Sequence, residues 1–256
     1  MNTLEANSII SDDSMYWKIL KRQMPLVSKA EQEKFKNATI TVIGCGGIGG
    51  LAIEMLARMG VGNLILVDED EFDISNLNRQ TLSSVENIGR KKSEVACEQM
   101  EKINPHVNVT SYCEHVDEKN IEKLIENSNV VIDALDNVLT RVILSRKARE
   151  LKIPLIHGAV YGTQGQLTVF LSNTPSYEEM FNLPSLGNEL NEDTIRELEK
   201  IAANAPPVIG PTPNLISCLE AIEAYKIVTG VGKVNVSPKI LTFDLLDFSS
   251  FTTQEL

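Results

Sequence analysis

Four glycines in the run GCGGIGG, Gly44, Gly46, Gly47 and Gly49, follow an apolar segment rich in β-branched residues, ATITVIG (Ala38 to Gly44). Apolar residues at helical spacing come next: Ile48, Leu51, Ala52, Met55, Leu56 and Met59. A turn of this kind lets the backbone approach a phosphate, and the helix it opens supplies N–H donors and a positive dipole end. Asp68, near the end of the next apolar segment NLILVDED, stands where such folds grip ribose hydroxyls. Both features describe a dinucleotide-dependent oxidoreductase as well as an enzyme that acts on ATP.

The residues that follow favour ATP. DISNLNRQ (Asp73 to Gln80) gathers Asn76, Asn78, Arg79 and Gln80 just after the Asp68 strand, a cluster for which a neutral nicotinamide has no evident use. Arg79, and Lys92 in IGRKKSE, offer a planar fork and a point charge near the phosphate end, which suits a triphosphate. DALDNVLTR (Asp133 to Arg141) follows a buried strand, so its acids stand at the carboxyl edge of the sheet. An aspartate there suits Mg²⁺, which takes one or two carboxylates plus phosphate oxygens. Asp136 or Asn137 would also serve as a helix N-cap, and both roles fit one short loop.

Positioning these residues requires alternating strands and helices. NLILVDED, VNVTSYCEHV and NVVIDAL read as strands; GRKKSEVACEQMEKI, IEKLIENS and LTRVILSRKARELK read as helices. PLIHGAV and GQLTVFL are further strands. This succession predicts a Rossmann-like α/β fold with a mostly parallel sheet flanked by helices. The parts of a single domain would be an N-terminal helical arm (1–37), a nucleotide-binding core (38–171), a crossover segment (172–213) and a C-terminal helix and strand (214–256). The crossover is polar and acidic, carries the charged helix DTIRELEKIAANA, and ends in PPVIGPTP. NLISCLEAIEAYKIVTG reads as a helix closed by Gly230, and KILTFDLLDF as a final strand.

The 256 residues suffice for one large α/β domain. A net charge of −11 argues against a nucleic-acid-binding surface, which needs a basic footprint. The N-terminus has no basic region followed by an apolar core, and no apolar run is long enough to span a bilayer, so a cytoplasmic protein without membrane contact is expected. Cys45, Cys97, Cys113 and Cys218 form no CxxC pair and are expected to be buried small hydrophobes.

The chain resembles the ThiF/MoeB/HesA family of adenylating enzymes, which are related to ubiquitin-activating enzyme. The resemblance runs from about Ile19 to Phe248 through KRQMPL, GCGGIGG, GVGNLILVDEDEFDISNLNRQ, IGRKKSEVA, INPHV, VIDALDN, IHGAVYGTQGQLTVF and VIGPTPNLISCLEAIEAYKIVTG. It implies antiparallel strands at the C-terminal end of the sheet and activation of a carboxylate. The acceptor would attack the α-phosphate of ATP, giving an acyl adenylate and pyrophosphate. By motif, Gly47 would meet phosphate through its backbone and Asp68 would bind ribose. Asn76, Arg79 and Lys92 would surround the triphosphate, and Asp136 would hold Mg²⁺. Arg22, in KRQ, would reach the outgoing phosphates from a neighbouring subunit, so the resemblance implies a homodimer. The acceptor would be the C-terminal glycine of a small ubiquitin-like sulfur carrier, or a small-molecule or peptide carboxylate.

The pattern breaks in two places. SYEEMF (Ser176 to Phe181) stands where many members carry the first of two zinc-binding CxxC pairs, and the second pair is also missing, so no zinc is expected. Ala203 falls at about the place of the family's thioester cysteine, and Cys218 shares helical spacing with Leu215 and Ile222, which predicts a core position. Adenylation without an enzyme thioester is the expectation.

Overall fold

The computed structural model describes residues 13–201 and 206–256. Ala203 and the beginning of the 1–37 arm lie outside them. The remainder of the arm holds helices α1 (Asp13–Ile19) and α2 (Lys29–Lys36). Ser28 and Glu31 close a capping box at the start of α2. The arm is pinned to the body by a buried polar chain. Tyr16 donates to the Gly60 carbonyl at 2.7 Å, Gln32 to the Tyr16 hydroxyl at 2.9 Å, and Tyr225 to Gln32 Oε1 at 2.9 Å.

The sequence then alternates as its periodicity requires: β1 (Thr39–Ile43), α3 (Gly47–Arg58), β2 (Asn63–Val67), α4 (Lys92–Ile103), β3 (Asn108–Tyr112), α5 (Ile121–Ile125), β4 (Val130–Asp133), α6 (Val138–Glu150) and β5 (Leu155–Tyr161). These strands are mutually parallel, and β1 and β4 are buried almost throughout, which is why they read as unbroken apolar runs. β6 (Gln164–Phe170), β7 (Lys239–Asp244) and β8 (Asp247–Glu255) complete the sheet in antiparallel fashion. The order is β3-β2-β1-β4-β5-β6-β7-β8. The order in which successive strands are laid down reverses between β1 and β4, so a crevice opens at their carboxyl ends.

One core lies between the sheet and α3, α4 and α9 (Pro211–Thr229); another, on the opposite face, is built with α5 and α6. The second core includes the crossover: α7 (Tyr177–Met180) and α8 (Glu192–Ile201) bring Tyr177, Leu183 and Leu198 into it. Among the described residues no helix is long and apolar enough to cross a membrane.

Two expectations are corrected. KILTFDLLDF is not one strand: Leu245 and Leu246 turn the chain, and β7 and β8 form a hairpin with Asp244 opposite Asp247. Nor are all four cysteines core residues. Cys45 is buried and Cys97 half-buried, whereas Cys113 and Cys218 are exposed. For Cys218 the cause is the orientation of α9, which turns Ile216, Ser217, Glu220, Ala221 and Ala224 inward and leaves Ile222 exposed. Small residues on the inner face allow close packing on α3, where Ser217 Oγ donates to the Ile48 carbonyl at 2.5 Å.

Candidate active site

A cleft of about 480 Å³ occupies the crevice at the β1 and β4 ends. Gly44 leaves β1 with φ +99°, and its N–H donates to the Val67 carbonyl at 2.8 Å. A Cβ there would lie 2.5 Å from the Ala134 carbonyl oxygen, and one on Gly49 would lie 1.8 Å from that of Gly44. Glycine is therefore required at both positions by close backbone approach. Gly44, Gly46 and Gly47 line the cleft; Gly49 is buried behind them. Gly46 caps α3 without a side chain, so the cradle at the helix N-terminus remains open.

Asp68 joins the glycine turn to the loop after β2. Its Oδ2 accepts the Cys45 N–H at 2.7 Å and its Oδ1 accepts the Asp70 N–H at 2.8 Å. Burial pushes the Asp68 carboxyl up, against the opposing pull of the Cys45 N–H and Lys92. Lys92 begins α4 inside the cleft, 7% exposed, with Nζ 2.8 Å from Asp70 Oδ2. Asp70 thus pairs with the lysine in the cleft. Arg79 Nη1 donates to the Ser75 carbonyl and Asn78 Oδ1, both at 2.9 Å, and the side chain lines the cleft.

The loop after β4 separates the two roles that its sequence left joined. Asn137 caps α6, accepting the Thr140 N–H at 2.8 Å, while Asp136 lines the cleft, exposed and without a hydrogen bond or ion pair to the described residues. One free carboxylate facing a phosphate cradle fits Mg²⁺, which takes its other ligands from phosphate and water.

Asn76 is placed differently. It is buried in a 3₁₀ turn, its Oδ1 accepts the Asp73 N–H at 3.0 Å, and it does not line the cleft; it shapes the loop that carries Arg79. Arg22 lies in the turns after α1, exposed and outside the cleft of its own chain.

Several lining residues had no assigned role in the sequence. Gln80 is 7% exposed, with its Nε2 beside Gly46 and its Oε1 buried without a partner. Glu114 and His115 follow β3, where the carboxyl-edge rule would have found them, and His115 Nδ1 sits 2.6 Å from Glu69 Oε1. Tyr161, Ile201, Pro206 and Val208 form an apolar mouth that only the crossover's return places here. The Gly162 N–H donates to the Pro207 carbonyl at 2.7 Å, and Thr212 Oγ1 to the Gly162 carbonyl at 3.0 Å, securing that return.

Known proteins resemble this chain over most of its length. The ThiF family model matches residues 20–256. The SAMP-activating enzyme E1 of Haloferax volcanii is 33% identical over 227 residues, 88% of this chain and 80% of that protein. The molybdopterin-synthase adenylyltransferase of Haemophilus influenzae is 34% identical over 215 residues, 83% of each. A crystal structure of E. coli MccB with ATP shares the fold with a TM-score of 0.75, at 22% identity, over 88% of this chain and 65% of that one. A glycine cradle, two cations and a free aspartate meeting at one sheet edge, with sequence similarity over nearly the whole length, lead to one assignment: the chain belongs to the ThiF family.

Proposed function

We propose that this chain, an adenylyltransferase of the ubiquitin-like activating type, binds ATP in the β1–β4 cleft and transfers AMP to the terminal carboxylate of a small carrier protein. The observation that carries the reading is the convergence of Gly47, Asp68, Arg79, Lys92 and Asp136 on one cleft. Asp68 would grip the ribose. The helix N-terminus at Gly47 would receive phosphate oxygens, and Arg79 and Lys92 would flank the pyrophosphate end, Lys92 exchanging Asp70 for phosphate. Mg²⁺ held by Asp136 would neutralise phosphate charge as the acceptor oxygen bonds to the α-phosphorus and the bond to pyrophosphate breaks. No proton transfer is needed, because the nucleophile is already an anion. The protein's work is to position the reactants and balance charge.

A protein acceptor is favoured by a second groove of about 440 Å³ across β5, β6 and β7, which shares Ala159, Val160 and Tyr161 with the cleft. An extended tail lying along that shared rim would reach the α-phosphate while its folded part rests on the sheet. The names of the two relatives point the same way, one activating a SAMP and the other acting on molybdopterin synthase. A peptide or small-molecule carboxylate is the second reading.

Exchange of labelled pyrophosphate into ATP, dependent on added carrier, tests the proposal; nucleotide-independent behaviour, or tight NAD(P)H binding in its place, would remove it. Arg22 is proposed to act from the partner of a homodimer. Mixing inactive Arg22→Ala and Asp136→Ala proteins should then restore part of the activity, since one site of each mixed dimer holds both intact groups. If Arg22 acts within its own chain, the mixture stays inactive.

A further inference from the structure

Behind the Asp136 loop lies a charged group to which the proposed chemistry gives no part. Arg141 lines the cleft, yet its side chain is only 12% exposed. Its Nε lies 3.4 Å from Asp133 Oδ2, and its Nη2 donates to the Leu135 carbonyl and, at 3.3 Å, to the Gly158 carbonyl. Tyr177, in the crossover, interacts with the same guanidinium through its side chain. Asp133 is itself fixed: its Oδ2 lies 2.7 Å from His157 Nδ1, and its Oδ1 accepts the Leu135 N–H at 3.1 Å.

The protonation states support a fixed frame. Burial alone would raise the Asp133 carboxyl, but Arg141 and then His157 hold it below the usual carboxylate range. Burial lowers His157, with Arg141 adding to the effect, so a neutral imidazole donates through Nδ1 to an ionised Asp133. Glu220, buried against Gly158, is pushed well above the usual carboxylate range, first by burial and then by Asp133, against the pull of Arg141.

A buried ion pair contributes little to stability compared with apolar residues of similar size, so its value here must lie in the geometry it sets. The loop it touches is pinned on both sides of Asp136. The Ala134 N–H donates to the Ile43 carbonyl at 3.0 Å, Arg141 holds the Leu135 carbonyl, and Asn137 caps α6. Between these anchors the Asp136 side chain projects into the cleft.

We propose that Arg141 is a positioning residue: its Nη2 locks the Leu135 peptide so that the Asp136 carboxylate faces the triphosphate, and its contact with Tyr177 ties this loop to the crossover. The inference rests on the metal role proposed for Asp136. Lysine at this position keeps a charge opposite Asp133, but one ammonium cannot stand both where Nε faces Asp133 and where Nη2 meets the two carbonyls.

The test is a titration of Mn²⁺, followed by electron paramagnetic resonance, into the full chain with an α,β-methylene analogue of ATP. Arg141→Lys should weaken Mn²⁺ binding on the order of tenfold, as loss of a ligand-orienting contact does. Arg141→Met should weaken it further, and Tyr177→Phe less. Analogue binding without metal should change by no more than about twofold in each, because the ribose and glycine contacts are untouched. Should Arg141→Met fail to fold, Arg141→Lys decides alone. A folded Arg141→Lys protein with the parent's Mn²⁺ affinity would overturn the positioning role only. A parent that binds no Mn²⁺ with the analogue, or an Asp136→Ala protein that binds it like the parent, would overturn the functional reading and this inference together.

Discussion

The two ends of the sheet are built by different rules. In the parallel end, β1 and β4 are sealed between helix layers, and every turn at their carboxyl edge is held by named bonds: Gly44 to Val67, Cys45 to Asp68, Ala134 to Ile43. In the antiparallel end, β8 is exposed along nearly its whole length, and Leu246 and Phe248 stand in solvent at 84% and 77% exposure. The groups proposed to stabilise moving charge sit on the rigid end, where they would need no reorganisation during reaction. The open end exposes large apolar side chains, which suits recognition of a partner.

The contrast breaks most clearly at Asp136. Asp136→Ala should lower pyrophosphate exchange by about 10³-fold or more, the scale of losing an electrostatic contact to the transition state. Thermal unfolding should barely change, because the side chain is exposed and makes no hydrogen bond or ion pair to the described residues. A large drop in melting temperature would make Asp136 a structural residue.

Gly49→Ala tests the rigidity itself. With a Cβ 1.8 Å from the Gly44 carbonyl, something must move. Urea unfolding should show a loss of about 3 kcal/mol, and ATP binding should weaken with it. If the variant matches the parent, the turn is looser than its packing implies.

The open end should respond in the opposite way. Leu246→Ala with Phe248→Ala should change stability by no more than about 0.5 kcal/mol per site, as exposed positions usually do. The carrier's KM should rise on the order of tenfold, the scale of losing a modest apolar contact, with the KM for ATP unchanged. An unaltered carrier KM would remove this end from acceptor recognition.

The last effect is a pH dependence at Glu220. Its folded-state carboxyl is raised above the unfolded value of about 4.3, so stability present below that pH is lost as pH rises toward the folded value. Glu220→Gln removes this loss. The variant should gain on the parent between about pH 4 and pH 8, by a margin that grows with pH. Denaturant unfolding at both ends of that range measures it; a constant margin would mean that Glu220 does not ionise differently on folding.

What could be read in the chain differs between the same two ends. Apolar runs and helical spacing placed every parallel strand, and Gly44, Gly46, Gly47, Asp68, Arg79, Lys92 and Asp136 all line the cleft. They were legible because strand ends of a parallel sheet share one edge, so position along the chain implies position in space. Asn76 was grouped with the phosphate residues because Arg79 lies close by in sequence, but its amide oxygen is spent on the Asp73 N–H and it does not line the cleft. Cys218 was judged from Leu215 and Ile222, yet α9 turns a face of small and polar residues inward. Periodicity shows that a helix has two faces; when the buried one is not the more apolar, it cannot show which.

From sequence alone came the element order, the glycine cradle and the chemical types gathered around a triphosphate, because these depend on local conformation and on the common edge of parallel strands. The tertiary structure alone decided that Asn137 takes the cap and leaves Asp136 free, that Asp70 holds Lys92, and that Arg141 joins Asp133, Leu135, Gly158 and Tyr177. Each of those is a choice among side chains competing for the same partner. Such competition is settled by distance and burial, which local sequence does not encode.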